Sequence, residues 1–177
     1  MKKKLLQATL IICLILVTAC QKKVVSNEAV VINSTEEVIE VSEGEKMTSF
    51  EIETNSGERY DISKAKKPIL LNFWATWCGF CKQEMPDLQN LYEEYKDKVD
   101  FLMINSGESK EIADSFISKE GYSFPIGYDE QGLIANRFNF VGFPTTIIID
   151  KNKNISNYII GARSKSQFKE YIEEVLK

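Results

Sequence analysis

Cys78 and Cys81 stand three residues apart in the run Asn72-Phe-Trp-Ala-Thr-Trp-Cys-Gly-Phe-Cys-Lys-Gln-Glu-Met-Pro86, where an apolar stretch gives way to a helical pattern. Two thiols at that spacing in the first turn of a helix can close a small disulfide ring. The first of them would sit where unpaired backbone N–H groups and the positive end of the helix dipole favour a thiolate. Dithiol–disulfide exchange is the chemistry this arrangement suggests. Glu84 follows Cys81 by three residues, on the same helical face, so its carboxylate can approach the deeper thiol directly or through water. A negative charge there raises thiol pKa values and opposes the helix dipole. The alternative for Glu84 is a solvated helix acid.

Other cysteine chemistries fail on ligand supply. The 177-residue chain has four cysteines and no histidine. Zinc takes about four ligands, usually thiolates and imidazoles, and a c-type haem attachment needs His after the second cysteine, where this chain has Lys82. No metal and no cofactor is expected. The other two cysteines fall at the N-terminus. Lys2, Lys3 and Lys4 precede an apolar stretch from Leu5 to Ala19, shorter than the roughly 20 residues that span a bilayer as a helix. Val17-Thr18-Ala19-Cys20 resembles the lipobox of bacterial lipoproteins, which implies cleavage before Cys20 and a diacylglyceryl group on its sulfur. The alternative, an uncleaved membrane anchor, also exports the rest of the chain. Cys13 leaves with the signal peptide, and Cys78 and Cys81 remain as the free pair. An exported setting permits disulfides, so a purely structural bridge stays open at this point.

Loss of residues 1–19 removes three lysines and no acid, leaving 19 basic and 26 acidic side chains and a net charge of −7. That balance argues against nucleic acid as a partner and against electrostatic adhesion to anionic lipid. Membrane attachment would rest on the lipid at Cys20.

The elements that must position the thiols are readable around them. Residues 21–46 are polar and weakly acidic, and read as a flexible tether spanning roughly 25–30 Å. Val24, Val25, Val30 and Val31 offer an edge strand as the alternative. The expected organisation is therefore a signal peptide over 1–19, lipidated Cys20 and tether over 20–46, and one folded domain over 47–177. Phe50–Glu53 and Arg59–Ile62 flank Asn55-Ser-Gly57 and predict a β-hairpin. Ile69–Ala75 predicts a strand buried on both faces. Leu88, Leu91, Tyr92 and Tyr95 recur at helical spacing after the cysteines, with a kink expected at Pro86. Val99–Asn105 predicts a second buried strand, and Ser109–Glu120 a helix with Ile112, Ala113, Phe116 and Ile117 on its inner face. A short strand near Phe124–Ile126, a helix from Asp129 to about Phe138, and a hairpin of Thr145–Ile149 with Ile155–Ile160 follow. Ser164 and Gln167 can form a capping box for a last helix that turns Phe168, Ile172, Val175 and Leu176 inward. The order predicts an α/β fold, a central mixed sheet with helices on both faces.

Phe73-Trp-Ala-Thr-Trp-Cys-Gly-Phe-Cys81, followed some sixty residues later by Gly142-Phe-Pro-Thr-Thr146, resembles thioredoxin-fold proteins, and more closely the TlpA/ResA-like membrane-tethered thiol–disulfide oxidoreductases. The N-terminal hairpin and the helix and strand inserted in the centre fit that branch. The resemblance covers residues 47–177. It implies that Cys78 is the nucleophile, Cys81 the resolving thiol and Pro144 a cis-proline facing them. It also implies that Glu84 handles the proton of Cys81. Attack by Cys78 gives a mixed disulfide, which Cys81 resolves. Pro144 would leave the main chain of Phe143 open to an extended substrate; the alternative is an ordinary proline at a strand start. Trp77, Gly79 and Phe80 would border the substrate, whereas Trp74 reads as core. Asn72 stands where ordinary thioredoxins have a buried Asp, and a neutral amide cannot act as a base. Gly161 would either admit a partner backbone or serve the start of the last helix. The Gly-Phe pair between the cysteines departs from the proline-containing dipeptide common in thioredoxins, so the redox poise is not inherited from the family.

The resulting expectation is a membrane-tethered enzyme that reduces disulfides of exported proteins, such as apocytochrome c or methionine sulfoxide reductase. It would be recharged by an integral-membrane thiol reductant of the CcdA/DsbD type. An oxidant that introduces disulfides, or a non-catalytic binding lipoprotein stapled by Cys78–Cys81, are the competing readings. A ring this short closes little chain entropy and makes a poor staple.

Overall fold

A computed structural model describes residues 38–177 and, ahead of them, the backbone of Val30–Val31. The signal segment and Cys20 lie outside the described residues. Val30–Val31 (β1), Glu51–Glu53 (β2) and Arg59–Asp61 (β3) pair antiparallel in that order, so the hairpin expected around Asn55–Gly57 is present. Ile69–Trp74 (β4) is buried along its whole length. It lies at the centre of a five-stranded sheet with Asp100–Ser106 (β5), Ile126–Asp129 (β6), Thr145–Ile149 (β7) and Ile155–Ile160 (β8), in the order β6-β5-β4-β7-β8. β4, β5 and β6 run parallel, whereas β7 is antiparallel to β4 and β8 antiparallel to β7. The helices are Gly79–Tyr95 (α1), Lys110–Glu120 (α2), Leu133–Arg137 (α3) and Lys165–Val175 (α4).

Side chains alternate across a strand, and β4 uses both sides. Leu70 and Trp74 pack with Met85, Leu88 and Leu91 of α1, Ala113 and Ile117 of α2, and Phe168 and Ile172 of α4. Ile69, Leu71 and Phe73 pack on the opposite face with Phe50, Ile52, Ile134 and Phe138. Asn72 has the parity of Leu70 and Trp74, which directs it toward α1. This alternation is what brings a strand amide to the helix that carries the cysteines.

Five expectations are corrected. Residues 39–46 are not free tether: Ile39 N donates to Arg137 O (2.8 Å), Gly44 N to Ile155 O (2.8 Å), and Ile155 N to Glu45 O (2.8 Å). Ile39 and Val41 pack on the second core, and Val30–Val31 extends the hairpin as an edge strand. Those few apolar residues suffice because open sheet edges supply main-chain partners. Ile112 of α2 is 51% exposed, since the helix buries only the narrow stripe of Ala113 and Ile117. The strand expected near Phe124 begins after Pro125 and runs through Asp129. The following helix is therefore shorter than expected, and the buried Asp129 carboxylate accepts the N–H groups of Ile134 and Ala135 (both 3.0 Å) at its start. The capping box of Ser164 and Gln167 forms as expected, but Leu176, expected to turn inward, is exposed at the C-cap of α4, and α1 continues without a break through Pro86.

Candidate active site

The β4–α1 junction places both cysteines at a helix start. Cys78 is the N-cap of α1, and its Sγ accepts the N–H of Cys81 at 3.1 Å. The two form a disulfide, with S–S 2.07 Å. The N-cap position faces unsatisfied N–H groups and the positive end of the helix dipole, the environment that stabilises a thiolate once the bond is reduced. Cys78 is less open than its place at a helix tip suggests. It is 6% exposed and Cys81 is fully buried.

An apolar surface surrounds this nearly covered sulfur. Trp77 is 68% and Phe80 66% exposed. The Trp77 ring lies 5.9 Å from that of Phe143, which precedes Pro144 across a cis peptide bond. Val141, three residues before Pro144, is also exposed. Gly79 has open space where a side chain would begin, so nothing shields the first turn of α1 on that side. Trp74 is core and stacks at a tilt on Phe116. Gly161, with φ +84°, donates its N–H to Pro144 O at 2.8 Å and so ties the β8–α4 loop to the cis-proline.

Three residues beyond Cys81, in the same helix, lies a buried carboxylate. Glu84 is 2% exposed. Its Oε1 accepts from Asn72 Nδ2 at 2.8 Å, and its Oε2 accepts the backbone N–H of Arg163 at 3.1 Å. Asn72 Nδ2 also donates to Thr146 Oγ1 at 2.8 Å, the residue opposite it in the β4–β7 register. Both amide protons are thus spent on acceptors, while Asn72 Oδ1 has no partner among the described residues. That orientation serves an ionised Glu84. Burial nevertheless dominates and pushes the Glu84 carboxyl from its ordinary 4.5 up to about 7, against the lowering effects of the Asn72 and Arg163 hydrogen bonds and of the Arg163 charge. A carboxyl poised near neutrality can take or give a proton at the pH where thiol exchange runs.

The raised value has a consequence for stability. A group with a folded-state pKa above its unfolded one stabilises the fold at low pH, and that contribution is lost as pH rises from about 4.5 through about 7. The oxidised protein is therefore expected to lose roughly 3 kcal/mol through this group over that window. Glu84→Gln should flatten this part of the curve. Denaturant titrations of both proteins at pH 5 and pH 8 check it; equal pH slopes would contradict it.

Sequence reasoning missed the supports around the pair. Glu108, in the loop after β5, accepts from Thr76 N (2.7 Å), from Thr76 Oγ1 and from Asn105 Nδ2 (2.8 Å). It thereby braces the turn that delivers Cys78. The only signal for it was its place after the carboxyl end of a parallel strand, where sites of open α/β sheets gather. Thr146 showed only as the end of the Gly142–Thr146 motif, with nothing to mark it as a partner of Asn72, and Arg163 carried no signal. Among the described residues, no group of His, Cys, Asp or Glu is arranged to hold a metal, and no helix is long and apolar enough to cross a membrane.

Comparison with known proteins agrees with this geometry. The Redoxin family model matches residues 42–175. The thioredoxin-like protein YneN of Bacillus subtilis is 34% identical over 137 residues, covering 75% of this chain and 80% of the relative. The thiol-disulfide oxidoreductase ResA of Geobacillus kaustophilus is also 34% identical over 137 residues, covering 76% and 79%. Among solved structures, a thioredoxin-family thiol:disulfide interchange protein from Chlorobium tepidum superposes with a TM-score of 0.68 at 26% identity, over 77% of this chain and 99% of that one. StoA from Bacillus subtilis superposes with a TM-score of 0.63 at 26% identity, over 70% and 96%.

Proposed function

The chain belongs to the Redoxin family and is a thiol–disulfide oxidoreductase of thioredoxin fold, and on that premise we propose that it is a membrane-tethered reductant of disulfides in exported proteins. The observation that carries this reading is the Cys78–Cys81 disulfide at the start of α1 with the buried Glu84 carboxylate in the next turn of the same helix. In the reduced protein the Cys78 thiolate attacks one sulfur of a substrate disulfide and expels the other as a thiolate. Glu84 takes the proton of the Cys81 thiol. The Cys81 thiolate then attacks Cys78 Sγ, closing the intramolecular disulfide and releasing the second substrate sulfur. Two electrons pass from the cysteine pair to the substrate, and the proton held on Glu84 leaves for the product thiolate or solvent. Trp77, Gly79, Phe80 and Phe143 border the substrate, with an extended segment lying along Phe143–Pro144.

At the N-terminus we likewise propose a lipid anchor. Residues 1–19 are a cleaved signal peptide, Cys20 is lipidated, and the folded part works outside the cytoplasm on a tether ending before Val30. Its electrons come from an integral-membrane thiol reductant of the CcdA/DsbD type. Its clients are exported proteins with disulfides to open, apocytochrome c or methionine sulfoxide reductase among them. Equilibrating the pair with glutathione tests the direction. A potential near about −270 mV is expected of a reductant, whereas one near about −120 mV would make the protein an oxidant.

A further inference from the structure

Arg163 lies outside the cysteine motif and the cis-proline, yet its main chain and side chain serve different sides of the same contact. Its backbone N–H holds Glu84 Oε2 at 3.1 Å. Its Nη1 turns back and lies within 3.3 Å of Ile160 O, 3.1 Å of Gly161 O and 3.0 Å of Ala162 O, three successive carbonyls of the loop that leaves β8. The same loop is tied to the cis-proline through Gly161 N, and to α1 through Lys165 N, which donates to Asp87 Oδ2 at 3.0 Å. A loop closed on one guanidinium has little freedom to withdraw its N–H.

We propose that Arg163 is a positioning residue for Glu84: its guanidinium clamps the β8–α4 loop so that the Arg163 N–H stays on the Glu84 carboxylate. This deepens the proton-handling reading of Glu84 and rests on it. The clamp favours the ionised carboxylate twice, through a fixed hydrogen bond and through a positive charge close by. The elements around Glu84 carry few other charged or titratable groups: α1 carries the Cys78–Cys81 disulfide and Asp87, β4 and β7 carry the neutral Asn72 and Thr146, and α4 begins with Lys165. Arg163 therefore supplies the cation of the loop next to the carboxylate, and it lowers the pH at which Glu84 gives up its proton against the larger effect of burial.

The test follows the ionisation of Glu84 in the intact oxidised protein through its side-chain carboxyl 13C shift, for the wild type, Arg163→Ala, Arg163→Gln and Arg163→Lys. Arg163→Ala and Arg163→Gln should raise the midpoint by about one pH unit. Arg163→Lys, which keeps the charge and loses the fork, should fall between them and the wild type. In single-turnover exchange the pH–rate profile should move upward by the same amount, and Arg163→Ala added to Glu84→Gln should move it no further. A midpoint unchanged in folded Arg163→Gln, or an Arg163→Lys midpoint equal to that of the wild type, overturns the clamp. Should Arg163→Ala fail to fold, the Gln and Lys variants decide. If the carboxyl midpoint moves but Glu84→Gln leaves the rate profile intact, the clamp stands and the catalytic role of Glu84 falls.

Discussion

Cys78→Ser is expected to lower disulfide-exchange activity about 10³-fold or more, with the fold retained. The reason lies in the N-cap position. Cys78 Sγ already accepts the N–H of Cys81 at 3.1 Å and faces the positive end of α1, so a sulfur there ionises easily, whereas a serine hydroxyl stays protonated and is a poor nucleophile toward sulfur. Serine still caps a helix well, and the loss of so short a ring returns little entropy to the unfolded chain. Circular dichroism should therefore remain native while turnover of a model protein disulfide disappears. Activity within tenfold of the wild type would show that exchange starts elsewhere.

Glu84→Gln is the second large effect. The amide has the shape of the carboxyl and keeps an oxygen for the Arg163 N–H, so packing around the fully buried Cys81 survives. It cannot accept a proton from the Cys81 thiol. Release of the mixed disulfide is expected to slow by about 10²-fold near neutral pH, the usual scale of positioned acid–base help. The rate inflection near about 7 should vanish with it. Formation of the mixed disulfide, which belongs to Cys78, should change far less. Stopped-flow measurements that separate the two steps across pH check this. A resolution rate within threefold of wild type, with the inflection intact, would remove Glu84 from the reaction.

The parts legible in the sequence were those built from neighbours in the chain. The apolar run of β4, the helical spacing after Cys81, the Thr145–Ile160 hairpin and the Ser164–Gln167 box each rest on local pattern, and each is present. The chemistry of the cysteines was legible for the same reason. Glu84 was legible only as a residue on the right face. Its burial and its partners come from residues 72 and 163, which strand parity and the β8–α4 loop bring to it across 12 and 79 positions. The docking of residues 39–46 was hidden too, because a polar segment that pairs with open strand edges uses main-chain groups and leaves little trace in side-chain pattern. Ile112 misled in the opposite direction: helical spacing placed it inside, but only tertiary packing decides how wide a stripe α2 buries.

Trapping with Cys81→Ser tests the central claim most directly. With the resolving sulfur gone, a Cys78 that attacks client disulfides stays bonded to them. Non-reducing gels of cells expressing the variant should show discrete mixed disulfides that collapse on adding dithiothreitol and are absent from Cys78→Ser/Cys81→Ser. Failure of Cys81→Ser to form any such adduct with a reducible client, while Cys78→Ser forms them instead, would contradict the account, since the buried sulfur and not the N-cap sulfur would then be the one that meets substrate.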